Sequence, residues 1–337
     1  MFGNKPASPS FAKWTKNAEG QGLAPGKPSR WWQRWSIKRK AFLAAIVLLV
    51  ITLAVGLGAG FAAGQDSEGR EKRDNQPYDS ARNQLWTPPV GATWNYMLRQ
   101  TVDEDIAASD NTAEVWDIDL FDNDANAIDA LHSAGKRALC YFSAGTFENW
   151  RPDKSDFDES DLGEALEEWE GEQWLDTTSD NVRKIMRARL DMAMEKECDG
   201  VEPDNIDAYD NENGLDLDES DAAEYVIFLA SEAHFRNLSL ALKNGARIIS
   251  DVIDVVDYSV QEQCVKYDEC SEFGAFIDAN KPVFHVEYPK GDDANNSNDV
   301  DDKTERKICD NSAAARFSTI IKNMDLDQWV EPCSSYN

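Results

Sequence analysis

Acidic side chains recur where short apolar runs of the sequence end. The acids at these positions are Asp117, Asp119, Glu202, Asp204, Glu262 and Glu287. Residues two apart on a strand share one face, so Glu202 and Asp204 are expected to point the same way, with the strand ending at Pro203. Paired carboxylates suit glycoside hydrolysis, because one protonates the departing oxygen while the other attacks the anomeric carbon or activates water. For any single acid the alternative is that it merely reflects the acidic composition, since the chain holds 63 Asp and Glu residues.

Aromatic side chains accompany these acids along the chain. Flat rings stack on sugar faces, although packing in the core is the ordinary role of a ring in a strand. Trp150 and Tyr209 follow strand-like runs and are the better candidates for a sugar platform, whereas Tyr141 lies within such a run. The residues predicted to contact substrate are Asp117, Asp119, Tyr141, Trp150, Glu202, Tyr209 and Glu287.

The cysteines predict disulfides rather than a metal site. All six follow residue 64, and an even number is typical of disulfide pairing in an oxidising compartment. The pairing that we expect, which the sequence alone leaves open, is Cys264–Cys270, Cys309–Cys333 and Cys140–Cys198. No two cysteines have the CxxC spacing of a zinc site, and segment 210–218 fails the EF-hand pattern. The sequence therefore predicts neither a metal nor a cofactor.

Strand-like runs alternate with helix-like segments from about residue 84 to the end. The eight apolar, β-branched or aromatic runs are 93–98, 115–120, 137–145, 200–207, 238–244, 255–263, 281–289 and 315–323. The longest helix-like segments are 126–136, 181–197 and 219–235. Segment 291–305, rich in Asn and Asp, predicts a surface loop. Strands that alternate with helices pair in parallel through right-handed crossovers, so eight such units predict an α/β fold, the (β/α)8 TIM barrel.

An uncharged stretch of 24 residues, 41–64, is long enough to cross a membrane as a helix. At about 1.5 Å per residue it spans the roughly 30 Å hydrocarbon core. Residues 1–40 hold nine Lys or Arg and one acid, so the positive-inside rule keeps this tail cytoplasmic. A cleaved signal peptide is the alternative, but its apolar region is usually shorter. The sequence predicts a single-pass type II membrane protein with a signal anchor (41–64), a flexible stalk (65–83) and an extracellular domain (84–337).

The exported part of the chain is strongly acidic. The formal charge is −29 for the whole chain and +8 for residues 1–40, which leaves −37 for residues 41–337. A field of this sign repels nucleic acid and anionic surfaces and attracts cationic partners. We therefore exclude nucleic acid as a partner and expect a cationic one.

Several motifs of the predicted barrel match one known family in the expected order. The most specific are CDGVEPDNID (198–207) and the EQC-x5-C pattern that begins at Glu262. Others include TWNYML, VWDIDLFD, AGKRALCYFSAGTFENWRPD, LALKN and KPVFHVEYP, and together the motifs cover nearly all of residues 84–290. By these motifs the domain resembles glycoside hydrolase family 114, the endo-α-1,4-polygalactosaminidase family.

The resemblance implies a (β/α)8 barrel that cleaves α-1,4-linked galactosamine chains internally. Its catalytic pair falls on Asp204 and Glu262, similar to retaining α-galactosidases, which carry acids after the fourth and sixth strands. The similarity makes Asp204 the nucleophile and Glu262 the general acid/base, with Glu287 and Glu202 as the runner-up acids. Gln261 stands where the family pattern leads us to expect Asn. Unacetylated galactosamine polymers are cationic near neutral pH, which agrees with the acidic field of the domain.

Two other functions fit the same sequence. One is a glycosidase for another α-galactoside or amino sugar, and the other is a catalytically inactive sugar-binding barrel at the cell surface. The presence of both Asp204 and Glu262 favours the enzyme. Within this hypothesis, Asp117, Asp119 or both are expected to bind a sugar ammonium or hydroxyl, and a structural role is the alternative for each.

Overall fold

The computed structural model describes residues 85–109, 112–166, 169–291 and 295–333. The predicted cytoplasmic tail, signal anchor and stalk lie outside these residues, so all three stay predictions. Within the described ranges, no helix combines the length and the apolar composition that crossing a membrane requires.

The fold is built on a long, mostly parallel sheet. The strands of the described residues are β1 (Trp94–Met97), β2 (Val115–Asp119), β3 (Arg137–Ser143), β4 (Thr146–Glu148), β5 (Leu162–Ala165), β6 (Glu172–Leu175), β7 (Gly200–Asp204), β8 (Ser239–Lys243), β9 (Tyr258–Glu262), β10 (Val283–Glu287), β11 (Ser318–Lys322) and β12 (Val330–Pro332). Nine of them form one sheet in the order β1-β2-β3-β7-β8-β9-β10-β11-β12, in which β12 alone runs antiparallel to its neighbour. Each of the eight predicted strand runs contains one of the parallel strands.

The two ends of the parallel sheet meet. Trp94 Nε1 on β1 donates to the carbonyl of Ser318 on β11 (2.7 Å), and Leu98 N donates to the carbonyl of Leu326 (3.1 Å). The sheet is therefore a nearly closed barrel, which is consistent with the TIM barrel expected from the sequence.

Alternate residues of the barrel strands face its interior and its outer surface. Tyr258, Phe284 and Val286 belong to the apolar cluster that fills the interior. Val201 and Leu240 belong to a second cluster, which packs the outer surface against the helices. Because side chains alternate along a strand, these apolar residues fix the face on which every acid of the same strand lies.

Helices cover the outside of the barrel. They are α1 (Glu104–Ser109), α2 (Ala125–Ser133), α3 (Asp180–Glu195), α4 (Glu219–Phe235), α5 (Ile249–Val252), α6 (Cys264–Tyr267), α7 (Gly274–Asp278) and α8 (Asp302–Cys309). The loop prediction for 291–305 was wrong over 302–305, which form the start of α8. Asp301 accepts hydrogen bonds from Lys303 N and Thr304 N, so this acid caps a helix N-terminus within a polar segment that composition alone marked as a loop.

A small antiparallel sheet, β4-β6-β5, is inserted between β3 and α3, and the sequence did not predict it. Buried charges hold this insertion against the barrel. The Arg151 guanidinium binds both carboxylate oxygens of Asp119 (3.0 and 2.7 Å) and one of Glu148 (2.8 Å). Arg189 of α3 donates to the Ser143 carbonyl (2.5 Å) and to Asp153 (2.8 Å). Each of these charges is paired, which is the condition for burying it without a large loss of stability.

Each disulfide joins two cysteines that are consecutive cysteines in the sequence. The disulfides are Cys140–Cys198, Cys264–Cys270 and Cys309–Cys333. They join β3 to the segment that enters β7, close the loop after β9, and tie α8 to the edge strand β12. The pairing expected from the sequence is thus the one in the structure.

Candidate active site

Asp204, Lys243 and Glu262 meet at the C-terminal ends of the neighbouring strands β7, β8 and β9. Lys243 Nζ lies 3.4 Å from Asp204 Oδ1 and 3.4 Å from Glu262 Oε2. These two oxygens are therefore at most about 6.8 Å apart, twice that distance. This distance between the two nearest oxygens is compatible with the roughly 5–5.5 Å separation of the carboxyl groups in retaining glycosidases.

The carboxylate of Asp204 is held by two donors and remains reachable from the mouth. Tyr141 Oη donates to Oδ2 (3.0 Å) and Asn205 N donates to Oδ1 (2.7 Å), while 17% of the side chain is exposed. The chain turns immediately afterwards, because Asn205 has a φ of 60°, in the left-handed region. Gly145 packs against this turn, and a Cβ there would lie 1.6 Å from the Asn205 carbonyl oxygen. The position therefore requires glycine.

Pro203 lies inside β7, so the prediction that the strand ends there was one residue too short. β7 pairs with β3 as far as Asp204, but it pairs with β8 only at Gly200 and Val201. Pro203 thus lies beyond the residues of β7 that pair with β8, so its missing N–H costs no hydrogen bond of the sheet.

Both oxygens of Glu262 also have donors. Tyr288 Oη donates to Oε1 (2.6 Å), and Asn244 Nδ2 donates to Oε2 (3.4 Å). Asn244 in turn accepts from the Glu262 backbone N–H (3.1 Å), so this asparagine holds the end of β9 as well as the acid. The carboxyl group is therefore fixed in orientation before a substrate arrives.

Lys243 is a buried cation among carboxylates. Its Nζ lies 2.9 Å from Glu202 Oε1 and donates to Tyr96 Oη at 2.9 Å. Burial alone would lower the pKa of Lys243, but the charges of Asp204, Glu202 and Glu262 together raise it well above its ordinary value. The side chain is consequently a permanent positive charge in contact with three acids.

Glu202 and Asp117 lie one layer deeper in the barrel, two residues before the ends of their strands. Both side chains are 0% exposed. Sequence analysis predicted that both contact substrate. Their depth instead assigns them to the support of Lys243 and its neighbours, because no sugar reaches a side chain without accessible surface.

Asp119, at the end of β2, is already bonded within the protein. Its two oxygens accept from Arg151, and Oδ1 also accepts from Phe121 N and Asp122 N at 2.9 Å. These bonds support the structural alternative for Asp119, since a sugar ammonium would have to compete with a buried guanidinium.

Glu287 faces away from the barrel axis. On β10 the interior residues are Phe284 and Val286, so the alternating pattern places His285 and Glu287 outside. Glu287 Oε1 lies 3.0 Å from His285 Nε2 and accepts from Val265 N at 2.7 Å. Its carboxylate thus holds the loop after β9, which does not favour its predicted roles as substrate contact or runner-up acid.

The three predicted aromatic contacts lie in different settings. Tyr141 is part of the site through its bond to Asp204. Trp150, on the insertion just after β4, has 42% of its surface exposed. Tyr209 lies in a shallow cleft of about 370 Å³, with the Arg247 guanidinium 5.0 Å from its ring. Sugar contact by each of them stays a prediction.

Comparison with known proteins identifies the barrel. Residues 75–336 match the sequence model of glycoside-hydrolase family GH114. The chain belongs to family GH114. The crystal structure of Aspergillus fumigatus Ega3 in complex with galactosamine is 51% identical, with a TM-score of 0.71 over 74% of this chain and 97% of that one. No curated protein sequence matches the chain significantly.

The glycoside hydrolase domain of PelA from Pseudomonas aeruginosa has the same fold at 11% identity, with a TM-score of 0.55 over 70% of this chain and 96% of that one. Membership of GH114 makes the chain a glycoside hydrolase, as the sequence analysis expected.

Four residues of this GH114 site were not among the predicted site residues. They are Tyr96, Lys243, Asn244 and Tyr288. Alternation along β10 shows that Glu287 and Tyr288 lie on opposite faces, but it does not show which of the two faces the interior. Lys243 and Asn244 end the LALKN run, and the signal that could have identified the lysine is the need of clustered acids for a cation.

One group of potential metal ligands occurs among the described residues of the GH114 domain: Cys264, Cys270 and His285. The two cysteines form a disulfide, so neither supplies the thiolate that a metal would bind. This group is therefore not a metal centre.

Proposed function

We propose that this chain is an endo-acting glycoside hydrolase that cleaves α-1,4-linked galactosamine within a cationic polysaccharide. Two observations support the substrate: the family match and the 51% identity to a structure that contains galactosamine. The observation that carries the chemistry is the contact of one lysine with both Asp204 and Glu262, which brings the two acids close enough for a retaining mechanism.

The proposed reaction proceeds in two steps. Asp204 attacks the anomeric carbon while Glu262 gives its proton to the departing oxygen, so the bond to the leaving chain breaks and a glycosyl–Asp204 ester forms. Glu262 then takes a proton from water, the water attacks the same carbon, and the ester bond to Asp204 breaks. Two inversions leave the product with the configuration of the substrate.

The neighbours of Asp204 explain how one carboxylate performs this attack. Tyr141 Oη and Asn205 N fix its plane, and Lys243 Nζ lies 3.4 Å from Oδ1. Removing these donors would leave the nucleophile free to rotate, and catalysis depends on reacting atoms held within a fraction of an ångström.

Half-buried acids in the loops after β7 and β9 suit a cationic polymer. Burial raises the pKa of Asp207 to about 7, and the charge of Asp204 adds to the shift. Burial also raises the pKa of Glu269 to about 7, and there the charge of Glu272 adds to the shift. Groups with these pKa values are partly ionised at neutral pH and gain a favourable partner when an ammonium group approaches. The charge of −37 on residues 41–337 attracts the polymer from a longer range.

We further propose that the enzyme acts outside the cell, held there by residues 41–64 as a type II signal anchor. The length and the lack of charge of that stretch support this location, as do nine basic residues before it. Residues 65–83 would then act as a stalk that carries the barrel to surface polysaccharide. Cell-surface labelling of intact cells with an antibody to the C-terminus checks this topology.

The experiment that tests the function is product analysis on defined α-1,4-galactosamine oligomers. Mass spectrometry of early products should show internal cleavage, and NMR should show the α-anomer first. A protein that binds the oligomers without cleaving them would support the inactive sugar-binding alternative. Initial release of the β-anomer would overturn retention, and cleavage restricted to N-acetylated oligomers would overturn the cationic substrate.

A further inference from the structure

Asp117 is a buried acid that the proposed mechanism does not use. It lies on the interior face of β2 and is 0% exposed. Neither of its oxygens has a hydrogen-bond donor among the described residues, and the same is true of Glu202 Oε2. Buried polar atoms are normally bonded, so three such oxygens in one place call for an explanation.

The three oxygens belong to two carboxyl groups that meet inside the barrel. Across the sheet, Asp117 is in register with Leu139, and Leu139 with Gly200, two residues before Glu202 on the same face. The Asp117 and Glu202 side chains lie within hydrogen-bonding distance of each other. If both were ionised, two acceptors would face each other without a proton, whereas one proton turns the contact into a donor–acceptor pair.

The surroundings decide which of the two acids holds the proton. Glu202 Oε1 lies 2.9 Å from Lys243 Nζ and accepts from Tyr96 Oη (3.2 Å). Burial raises the pKa of Glu202 to about 7, and the contact with Lys243 opposes that rise. Asp117 has no cation in contact with it among the described residues. The titratable groups that face this pair are Tyr96 on β1, Asp204 on β7, Lys243 on β8, Tyr258 on β9 and Tyr288 after β10.

We propose that Asp117 is a positioning residue that stays protonated at neutral pH and donates a hydrogen bond to Glu202 Oε2. This bond leaves Glu202 Oε1 turned toward Lys243 and so fixes the lysine between Asp204 and Glu262. The pair then carries one negative charge, which Lys243 balances. Burial, reinforced by the charge of Glu202, raises the pKa of Asp117 well above its ordinary value, in agreement with this assignment.

Substitution by the amide of the same shape separates this proposal from a role as a carboxylate. In Asp117→Asn the Nδ2 group can donate to Glu202 Oε2, so kcat near neutral pH should stay within about threefold of wild type, whereas Asp117→Ala should lower kcat about tenfold or more because Glu202 loses its donor. Loss of activity in a folded Asp117→Asn protein would overturn the proposal. This readout rests on the proposed function, so it is paired with one that needs no substrate.

The independent readout is stability against pH. An acid whose folded pKa is raised keeps its proton on folding but releases it on unfolding, so wild-type stability falls as pH rises above the unfolded pKa. Asp117→Asn removes that release. Its urea midpoint relative to wild type should therefore rise as pH increases above the unfolded pKa of an aspartate, about 3.9. A difference that does not change with pH would overturn the proposal even if no hydrolysis is ever detected.

Asp119→Asn is the matched control, two residues along the same strand. Asp119 is bonded to Arg151, so its amide variant should lose stability at neutral pH rather than gain it. If Asp117→Asn fails to fold, carboxyl ¹³C NMR of the Asp-labelled wild-type chain replaces it. An Asp signal at the protonated position at pH 7 that persists in Asp207→Asn supports the proposal, and the absence of such a signal overturns it.

Discussion

Lys243 Nζ lies equally far, 3.4 Å, from one oxygen of Asp204 and one oxygen of Glu262. The same nitrogen lies 2.9 Å from Glu202 Oε1, so one buried cation offsets three acids. Without it, Glu202 would lose the cation that it contacts, and a buried charge left without its partner is strongly destabilising.

Lys243→Met should therefore damage both the fold and the chemistry. Methionine keeps most of the side-chain length but not the charge, and removing one partner of a buried ion pair costs about 3–5 kcal/mol. We expect a loss of that size in urea unfolding and a fall in kcat of at least about 100-fold, because Asp204 and Glu262 lose the contact that positions them relative to each other. Lys184→Met on the exposed side of α3 is the control and should change neither quantity. An active Lys243→Met protein would show that the two acids function without the cation.

Asp204→Asn and Glu262→Gln should separate the two proposed roles. Glu262→Gln should lower kcat on the polymer by roughly 10²–10⁴-fold, the contribution of general acid–base catalysis. With an activated leaving group that needs no proton, its first step should recover, whereas Asp204→Asn should remain inactive on both substrates. Burst kinetics with an aryl galactosaminide checks this difference. If the two variants respond alike to leaving-group activation, the division of roles is wrong.

The strands could be predicted from the sequence more completely than the environment of each acid could. All eight parallel strands and the long helices α3 and α4 were predictable, because apolar periodicity is a local property. The disulfide pairing was expected but left open, because spacing alone does not determine which cysteines meet. The direction in which Glu287 points was not read correctly, since only the packing of Phe284 and Val286 shows which face of β10 is interior. The partner of Asp119 was equally hidden, because Arg151 reaches it from the inserted sheet, 32 residues along the chain.

Buried Glu172 should make the stability of the wild-type protein fall as pH rises, and a substitution should remove this dependence. Burial, with the charge of Glu148 adding to it, raises the pKa of Glu172 from 4.5 to about 8, and Thr146 Oγ1 donates to its Oε2 at 2.7 Å. The folded protein holds this proton between those two values while the unfolded chain releases it, so stability falls as pH rises through that window. Glu172→Gln should become more stable than wild type across this window, by up to roughly 5 kcal/mol in the free energy of unfolding.

Asp161 supplies the control for Glu172. Its pKa is lowered because hydrogen bonds from Asn181, Ser179 and Asp158 outweigh the opposing effect of burial, so its contribution is present at neutral pH and is lost as pH falls. Asp161→Asn should therefore be destabilised at neutral pH, and that loss should shrink in acid. Denaturant titrations of both variants over a pH series measure the two slopes, and equal slopes would contradict the assignment of Glu172 as a buried neutral acid.

Added salt should slow the association of the enzyme with its cationic polymer rather than the chemical step. The charge of −37 on residues 41–337 acts over the Debye length, which shrinks from about 30 Å at 0.01 M salt to about 3 Å at 1 M. We expect kcat/KM to fall about tenfold or more across that range while kcat changes little, because electrostatic steering acts on association. Steady-state kinetics on polymers of increasing acetylation measures this effect, which should fade as the ammonium groups are blocked. A kcat/KM that is insensitive to salt on the fully deacetylated polymer would mean that the acidic surface serves solubility and does not recruit substrate.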